Sequence, residues 1–146
     1  MIIWITGNSG TGKTTLGKLL AQRFGAILLD GDEMRQTVSL NAGFSMEDRE
    51  EHNLRVARLA KLHDSQGFHV VVTVIAPYKS TRAKIDKLIT PLWIYVYRPS
   101  LAVVAEKPYE EPENYFMAIN TDKMSVKEAY DNVMNILQPL MGILSQ

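Results

Sequence analysis

Gly7, Gly10, Gly12, Lys13 and Thr14 stand within the run Gly7-Asn8-Ser9-Gly10-Thr11-Gly12-Lys13-Thr14-Thr15 and satisfy the spacing G-x-x-x-x-G-K-[ST]. Glycines at these positions let the backbone curl around a polyphosphate with its N–H groups turned inward. An apolar run, Ile2-Ile3-Trp4-Ile5, ends where the glycines begin, and a helical pattern starts at Lys13. That order aims the positive end of a helix dipole at the same anion. Lys13 has the reach for the β- and γ-phosphates, and the Thr14 hydroxyl can hold Mg²⁺. The nine residues therefore predict a phosphate-binding loop (P-loop, Walker A) for a nucleoside triphosphate with Mg²⁺.

A second cluster, Asp30-Gly31-Asp32, follows a short apolar stretch. Two carboxylates one glycine apart suit phosphoryl transfer, one holding Mg²⁺ or its water and the other accepting the proton of an attacking hydroxyl. The same residues also suit a helix N-cap and a turn. Arg35 lies one helical turn beyond Asp32 and could hold an anionic substrate close to it, or could be a solvated surface arginine. The β-branched run that ends at Ile75 leads into Ala76-Pro77 with no carboxylate. Metal binding therefore falls to Thr14 with Asp30 or Asp32, which suits a small-molecule kinase better than a switch GTPase or motor. Catalytic candidates are Lys13, Asp30 and Asp32, and metal candidates are Thr14 and Asp30.

Positioning these groups requires alternating strands and helices. Leu16, Leu19, Leu20 and Phe24 have the spacing of an amphipathic helix, and Gly25 marks its end. Ala26 to Leu29 reads as a short strand. Ser45 with Asp48 forms a possible capping box for a helix reaching about Gln66, ended by Gly67. Phe68 to Ile75 reads as a strand buried on both faces, Pro91 to Tyr97 as a fourth and Tyr115 to Ile119 as a fifth. Ser125 and Glu128 make another capping box before a closing helix with Val126, Ala129, Tyr130, Val133, Met134 and Leu137 on one face. This plan predicts an α/β fold, a P-loop NTPase-type doubly wound parallel sheet of about five strands flanked by helices. Ligands then belong at the carboxyl ends of the strands, at Thr6–Gly7, Asp30–Asp32, Ala76–Tyr78 and Tyr97–Arg98.

Composition narrows the partners. The 146 residues are expected to form one kinase domain, residues 1–146. Sixteen basic and sixteen acidic side chains leave no overall charge to attract nucleic acid or an anionic membrane. There are no cysteines, so disulfides and thiolate metal sites are excluded. No apolar run approaches the roughly 20 residues that span a bilayer, and none resembles a signal peptide, so a cytoplasmic location is the default. The expected partners are a small anionic acceptor and, among possible assemblies, a homodimer.

The segments GNSGTGKTT, LLDGDEMR, NAGFSMEDREEHNLRVARLAKL and VVVTVIAPY together resemble the adenylylsulfate kinase family. The likeness covers about the first 80 to 85 residues and returns at Tyr109-Glu110-Glu111-Pro112-Glu113-Asn114. It implies transfer of the ATP γ-phosphate to the ribose 3′-hydroxyl of adenylylsulfate. It further implies that Asp30 and Asp32 are the acidic pair, Arg35 and Arg49 bind substrate anions, Phe44 flanks the substrate base and Pro77 shapes the pocket floor. His52 stands where the family usually has Asn, and Ala76 where it usually has Ser. After Glu106 the family carries a basic lid of about 20 residues, whereas this chain passes almost directly to Lys107-Pro108-Tyr109. Losing a lid should alter substrate or rate more than fold.

Other residues read as bland. His63 suits a partly buried core position and His69 a surface one, and the scattered methionines suit core filling. Lys79 and Arg82 either add positive charge over the acceptor or begin a solvated helix, and Arg98 is a candidate contact for the ATP base. The leading expectation is an ATP-dependent kinase for adenylylsulfate or a similar anionic nucleotide-type acceptor. The alternatives are a kinase for another phosphorylated or nucleotide-linked acceptor, such as a cytidine diphosphate derivative used in surface polysaccharide decoration, and an NTP-binding protein without turnover.

Overall fold

Five parallel strands are flanked by helices, with two helices between the second and third strands and, among the described residues, none between the fourth and fifth. The computed structural model describes residues 1–102 and 104–140, with β1 at Ile2–Thr6, α1 at Lys13–Phe24, β2 at Ile27–Asp30, α2 at Gly31–Gln36 and α3 at Met46–Ser65. These are followed by β3 at Val70–Thr73, α4 at Lys79–Ile89, β4 at Leu92–Tyr97, β5 at Met117–Asn120 and α5 at Val126–Leu140. The sheet order is β2-β3-β1-β4-β5, every pairing parallel. From β1 the chain crosses to the edge at β2, returns through β3 beside β1 and then runs outward on the other side through β4 and β5, so the sheet is doubly wound and its switch point lies beside β1. Among the described residues no helix is long and apolar enough to cross a membrane.

The period-2 geometry of a strand divides β1 between two cores. Ile3 and Ile5 join Leu16, Leu20, Val133 and Leu137 under α1 and α5, while Ile2 and Trp4 join Val56, Ala60 and Ile85 under α3 and α4. Burial on both faces explains why β1 and β3 read as unbroken apolar runs. The predicted stripe on α1 needs correction: Leu19 is 36% exposed, and the buried face is Leu16, Gly17, Leu20, Ala21 and Phe24. A Cβ on Gly17 would collide with the Thr73 side chain, so glycine lets α1 press onto β3 and rotates its inner face toward positions 16 and 17.

The strand expected from Phe68 to Ile75 is paired only from Val70 to Thr73. Beyond it, side chains of β1 recruit the carbonyls: Trp4 Nε1 donates to Val74 O at 2.9 Å and Thr6 Oγ1 to Ile75 O at 2.6 Å. The chain then leaves the sheet through Ala76, whose φ of 49° is left-handed. Arg82 holds that turn, donating to the Ala76 carbonyl at 2.6 Å. β5 starts at Met117, two residues later than the predicted Tyr115. The Ser45 hydroxyl accepts from the Asp48 amide at 3.0 Å, and Ser125 and Glu128 cap reciprocally at 3.1 and 3.3 Å.

Candidate active site

Between β1 and α1 the glycine-rich loop closes on itself. Gly7 has a φ of 153°, and a Cβ there would run into the Val96 carbonyl of β4, so only glycine lets the loop leave the sheet this closely. The Asn8 carbonyl accepts from Thr11 Oγ1 at 2.9 Å and from Lys13 Nζ at 2.7 Å, and Asn8 Oδ1 accepts from the Ser9 amide at 2.9 Å. Lys13 is 7% exposed. Its pKa falls to about 8, because burial penalises the charged ammonium more than nearby Asp30 and Asp32 favour it.

Asp30 ends β2 and is buried. It occupies the N-cap position of α2, yet its side chain makes no capping bond. Instead Oδ1 accepts from Thr14 Oγ1 at 2.8 Å and from Thr73 Oγ1 at 2.7 Å. The parallel register sets Asp30 directly opposite Thr73. Thr73, which lines the same cavity, is absent from the sequence-based candidates; its one signal is a lone hydroxyl inside the valine run. Asp32 projects from the first turn of α2 and is exposed.

A cavity of about 450 Å³ runs from this loop to the start of α3. One end is lined by Ser9, Gly10, Lys13, Thr14 and Asp30, and the other by Asp32, Arg35, Phe44, Arg49 and His52. Ala76 and Pro77 also line it, so every predicted acceptor residue faces one space together with the loop lysine. Gly7, Asn8, Thr11, Gly12 and Thr15 shape the loop without lining the cavity. Among the described residues no three His, Cys, Asp or Glu side chains gather as metal ligands. The Thr14 hydroxyl and Asp30 carboxylate form a sparse oxygen donor set, which suits a Mg²⁺ ion that takes its other ligands from phosphate and water.

The end of the cavity away from the glycine-rich loop is organised around Phe44. Arg35 stacks over its ring at 4.3 Å from the centroid, while the same guanidinium donates to the carbonyls of Ala42 and Gly43 at 3.1 and 3.2 Å. Arg49 lies at 5.7 Å from the ring and donates to Phe44 O at 2.8 Å. Phe44 as a whole remains 67% exposed. His52 is buried, with Nδ1 at 2.8 Å from Ser39 Oγ. Burial first, then Arg35 and Arg55, lower its pKa to about 4, so the imidazole is neutral at pH 7.

In place of a long lid, residues 106–110 form a strap whose Glu106 and Lys107 line the cavity. Asn8 Nδ2 donates to Lys107 O at 3.3 Å, Arg49 to Glu106 O at 3.2 Å, and the Glu110 amide to Pro77 O at 2.8 Å. Thr6 already donates to Ile75, so the Tyr109 hydroxyl donates to Thr6 Oγ1 at 2.8 Å. Arg82 is neither over the acceptor nor solvated: it is buried and ties Ala76 O to Glu110 O. Lys79 is exposed and pairs with Glu113 at 3.0 Å. Arg98 donates to Thr121 Oγ1 at 3.2 Å and does not line the cavity.

The adenylylsulphate kinase family model matches residues 1–108 and stops within the strap. A probable adenylyl-sulfate kinase of Pyrococcus abyssi is 35% identical over 159 aligned positions, covering 90% of this chain and 91% of the relative. The adenylyl-sulfate kinase of Deinococcus deserti is 33% identical, covering 93% and 90%. An alignment of 159 positions exceeds the 146 residues of this chain, so the relative carries residues that this chain lacks. An APS kinase of Mycobacterium tuberculosis, solved with AMPPNP and APS, superposes with a TM-score of 0.83 at 25% identity, covering 94% of this chain and 96% of that one. Shikimate kinase of Aquifex aeolicus, at 14% identity and a TM-score of 0.60, shares the fold.

Proposed function

Because the chain belongs to the adenylylsulphate kinase family, we infer that it transfers the γ-phosphate of ATP to a hydroxyl of adenylylsulfate or a closely similar anionic nucleotide. The observation that carries this reading is the continuous cavity, with Lys13 at one end and Asp32, Arg35, Arg49 and Phe44 at the other. A donor and an acceptor bound in that space meet head to head, and most of the catalysis of phosphoryl transfer is such positioning plus charge stabilisation. In this reading the loop amides and Lys13 hold the ATP phosphates, and Lys13 follows the charge that develops on the transferred group. Thr14 and Asp30 would hold Mg²⁺, which would supply charge neutralisation for the transferred phosphate. Asp32 accepts the proton of the attacking hydroxyl. Arg35 and Arg49 pair with acceptor anions, and the exposed Phe44 ring stacks on a base.

The strap favours a second reading, a relative that acts on a different phosphorylated or nucleotide-linked acceptor. Arg49 already donates to Glu106 and Phe44 carbonyls, and the short strap leaves fewer groups to enclose a ligand. ADP release with ATP·Mg²⁺ and a panel of adenylylsulfate, nucleotides and sugar phosphates separates the two readings. Turnover of adenylylsulfate above every other acceptor supports the first, and its complete inertness beside an active alternative overturns it. We place the enzyme in the cytoplasm, with a second copy of itself as the expected macromolecular partner. Light scattering in solution tests that assembly.

A further inference from the structure

His52 forms part of the wall between the active-site cavity and a second cavity lined by Thr37, Asn41, Glu51 and Arg55. The second cavity contains Arg55, and Arg55 donates to Ser39 Oγ at 3.2 Å. The same oxygen lies 2.8 Å from His52 Nδ1. Ser39 is 1% exposed, and among the described residues its hydroxyl proton has no acceptor other than that nitrogen. A buried hydroxyl left without an acceptor is costly, so the proton goes to Nδ1. With Nδ1 accepting, the neutral ring must carry its own proton on Nε2. Nε2 makes no protein hydrogen bond among the described residues, and it is not among the buried polar atoms left without a partner, so it touches cavity space. His52 lines the active-site cavity together with Asp32, Arg35 and Phe44, and its Nδ1 is already taken up by Ser39, which leaves Nε2 as the ring's free polar atom.

We propose that Arg55 and Ser39 are positioning residues that lock His52 as the Nε2–H tautomer, making it a hydrogen-bond donor that selects an acceptor oxygen or nitrogen on the phosphoryl-accepting substrate. This inference rests on the kinase reading only for the identity of that substrate. The depressed pKa of His52 supports it, because an uncharged ring keeps one donor and one acceptor at working pH. A neutral N–H recognises a sugar or base atom, and so complements the anion-binding arginines beside it. Arg55 and Ser39 themselves do not line the active-site cavity.

Long-range ¹H–¹⁵N spectra of the full chain without any acceptor test the tautomer. The wild type should show His52 protonated on Nε2, Ser39→Ala a mixture of tautomers, and Ser39→Thr the wild-type signature. Kinetics then read the consequence. With adenylylsulfate as acceptor, Ser39→Ala should raise its KM by about twofold, because an even mixture of tautomers halves the fraction of rings able to donate, with the KM for ATP unchanged. A wild-type ring protonated on Nδ1 overturns the proposal, as does a Ser39→Ala enzyme with unaltered tautomer and unaltered acceptor KM. If adenylylsulfate is not turned over, the kinase reading of that substrate fails while the spectra still decide the tautomer.

Discussion

Thr73 and Asp30, 43 residues apart in the chain, face each other across β3 and β2 and share a 2.7 Å hydrogen bond to the oxygen that also accepts from Thr14. The carboxylate is thereby aimed at the phosphate loop, while its capping potential goes unused. Removing the strand-side donor should loosen that aim. Thr73→Val is expected to lower activity at limiting Mg²⁺ by about 10-fold or more, the usual size of an effect on a residue that orients a metal ligand, and Thr73→Ser should largely restore it. Steady-state rates across a Mg²⁺ titration check this; equal Mg²⁺ dependence in Thr73→Val and wild type would refute it.

Lys13 should make nucleotide affinity depend on alkaline pH. In the unliganded protein its pKa is about 8, and polyphosphate must raise it by favouring the ammonium. Above pH 8 the free side chain is neutral and binding has to recharge it, so affinity weakens as pH rises, by up to about tenfold per unit. Calorimetry of an ATP analogue in two buffers at pH 8.5 should detect proton uptake. Lys13→Ala should lose the uptake and nearly all turnover while keeping its fold. Affinity that stays level from pH 7 to 9.5 would count against the assignment.

Asp32, in the first turn of α2 behind the N-cap position of Asp30, separates catalysis from support of the helix dipole. Asp32→Asn keeps size and hydrogen-bonding oxygen but cannot take a proton, so turnover should fall about 10²-fold or more with little change in melting temperature. Near-normal turnover with a large loss of melting temperature would return the residue to a structural role.

His52 predicts acid sensitivity. Its pKa in the fold is about 4, below the ordinary value of 6.5, so between those values the unfolded chain binds a proton that the folded one refuses. The stability held above pH 6.5 is therefore lost as pH falls toward 4. His52→Asn should shrink the drop in melting temperature between pH 7 and 4.5. An identical drop in both proteins would show that other groups control acid unfolding.

The strap sets an expectation for the acceptor. Arg49 spends donors on Glu106 and Phe44 carbonyls, and only Glu106 and Lys107 of the strap line the cavity. Missing charge-assisted hydrogen bonds, each worth very roughly 1.5–3 kcal/mol, should leave adenylylsulfate with a high KM. A kcat/KM above about 10⁶ M⁻¹s⁻¹ would show that the strap suffices as a closure.

What could be read from the sequence was local. The phosphate loop lies in nine consecutive residues whose spacing is itself the geometry, and the caps at Ser45 and Ser125 act over three residues. Apolar runs marked the strands because burial on both faces demands them. Asp30, Arg35, Phe44, Arg49 and Pro77 stand within segments that carry the family resemblance, and the fold gathers them around one cavity. Tertiary structure alone decided the contacts between distant segments. The parallel register matched Thr73 to Asp30, and the strap's return placed Tyr109 on Thr6, 103 residues away. Arg82 turned inward because the buried Ala76 carbonyl needed a donor and the partly buried Glu110 carbonyl lay within reach of the same guanidinium, whereas a sequence shows only a cation on a helix. Leu19 turned outward because Gly17 let α1 rest against Thr73. Each outcome depends on which backbone surfaces approach closely enough to exclude water, and that is settled only when the sheet and its helices pack together.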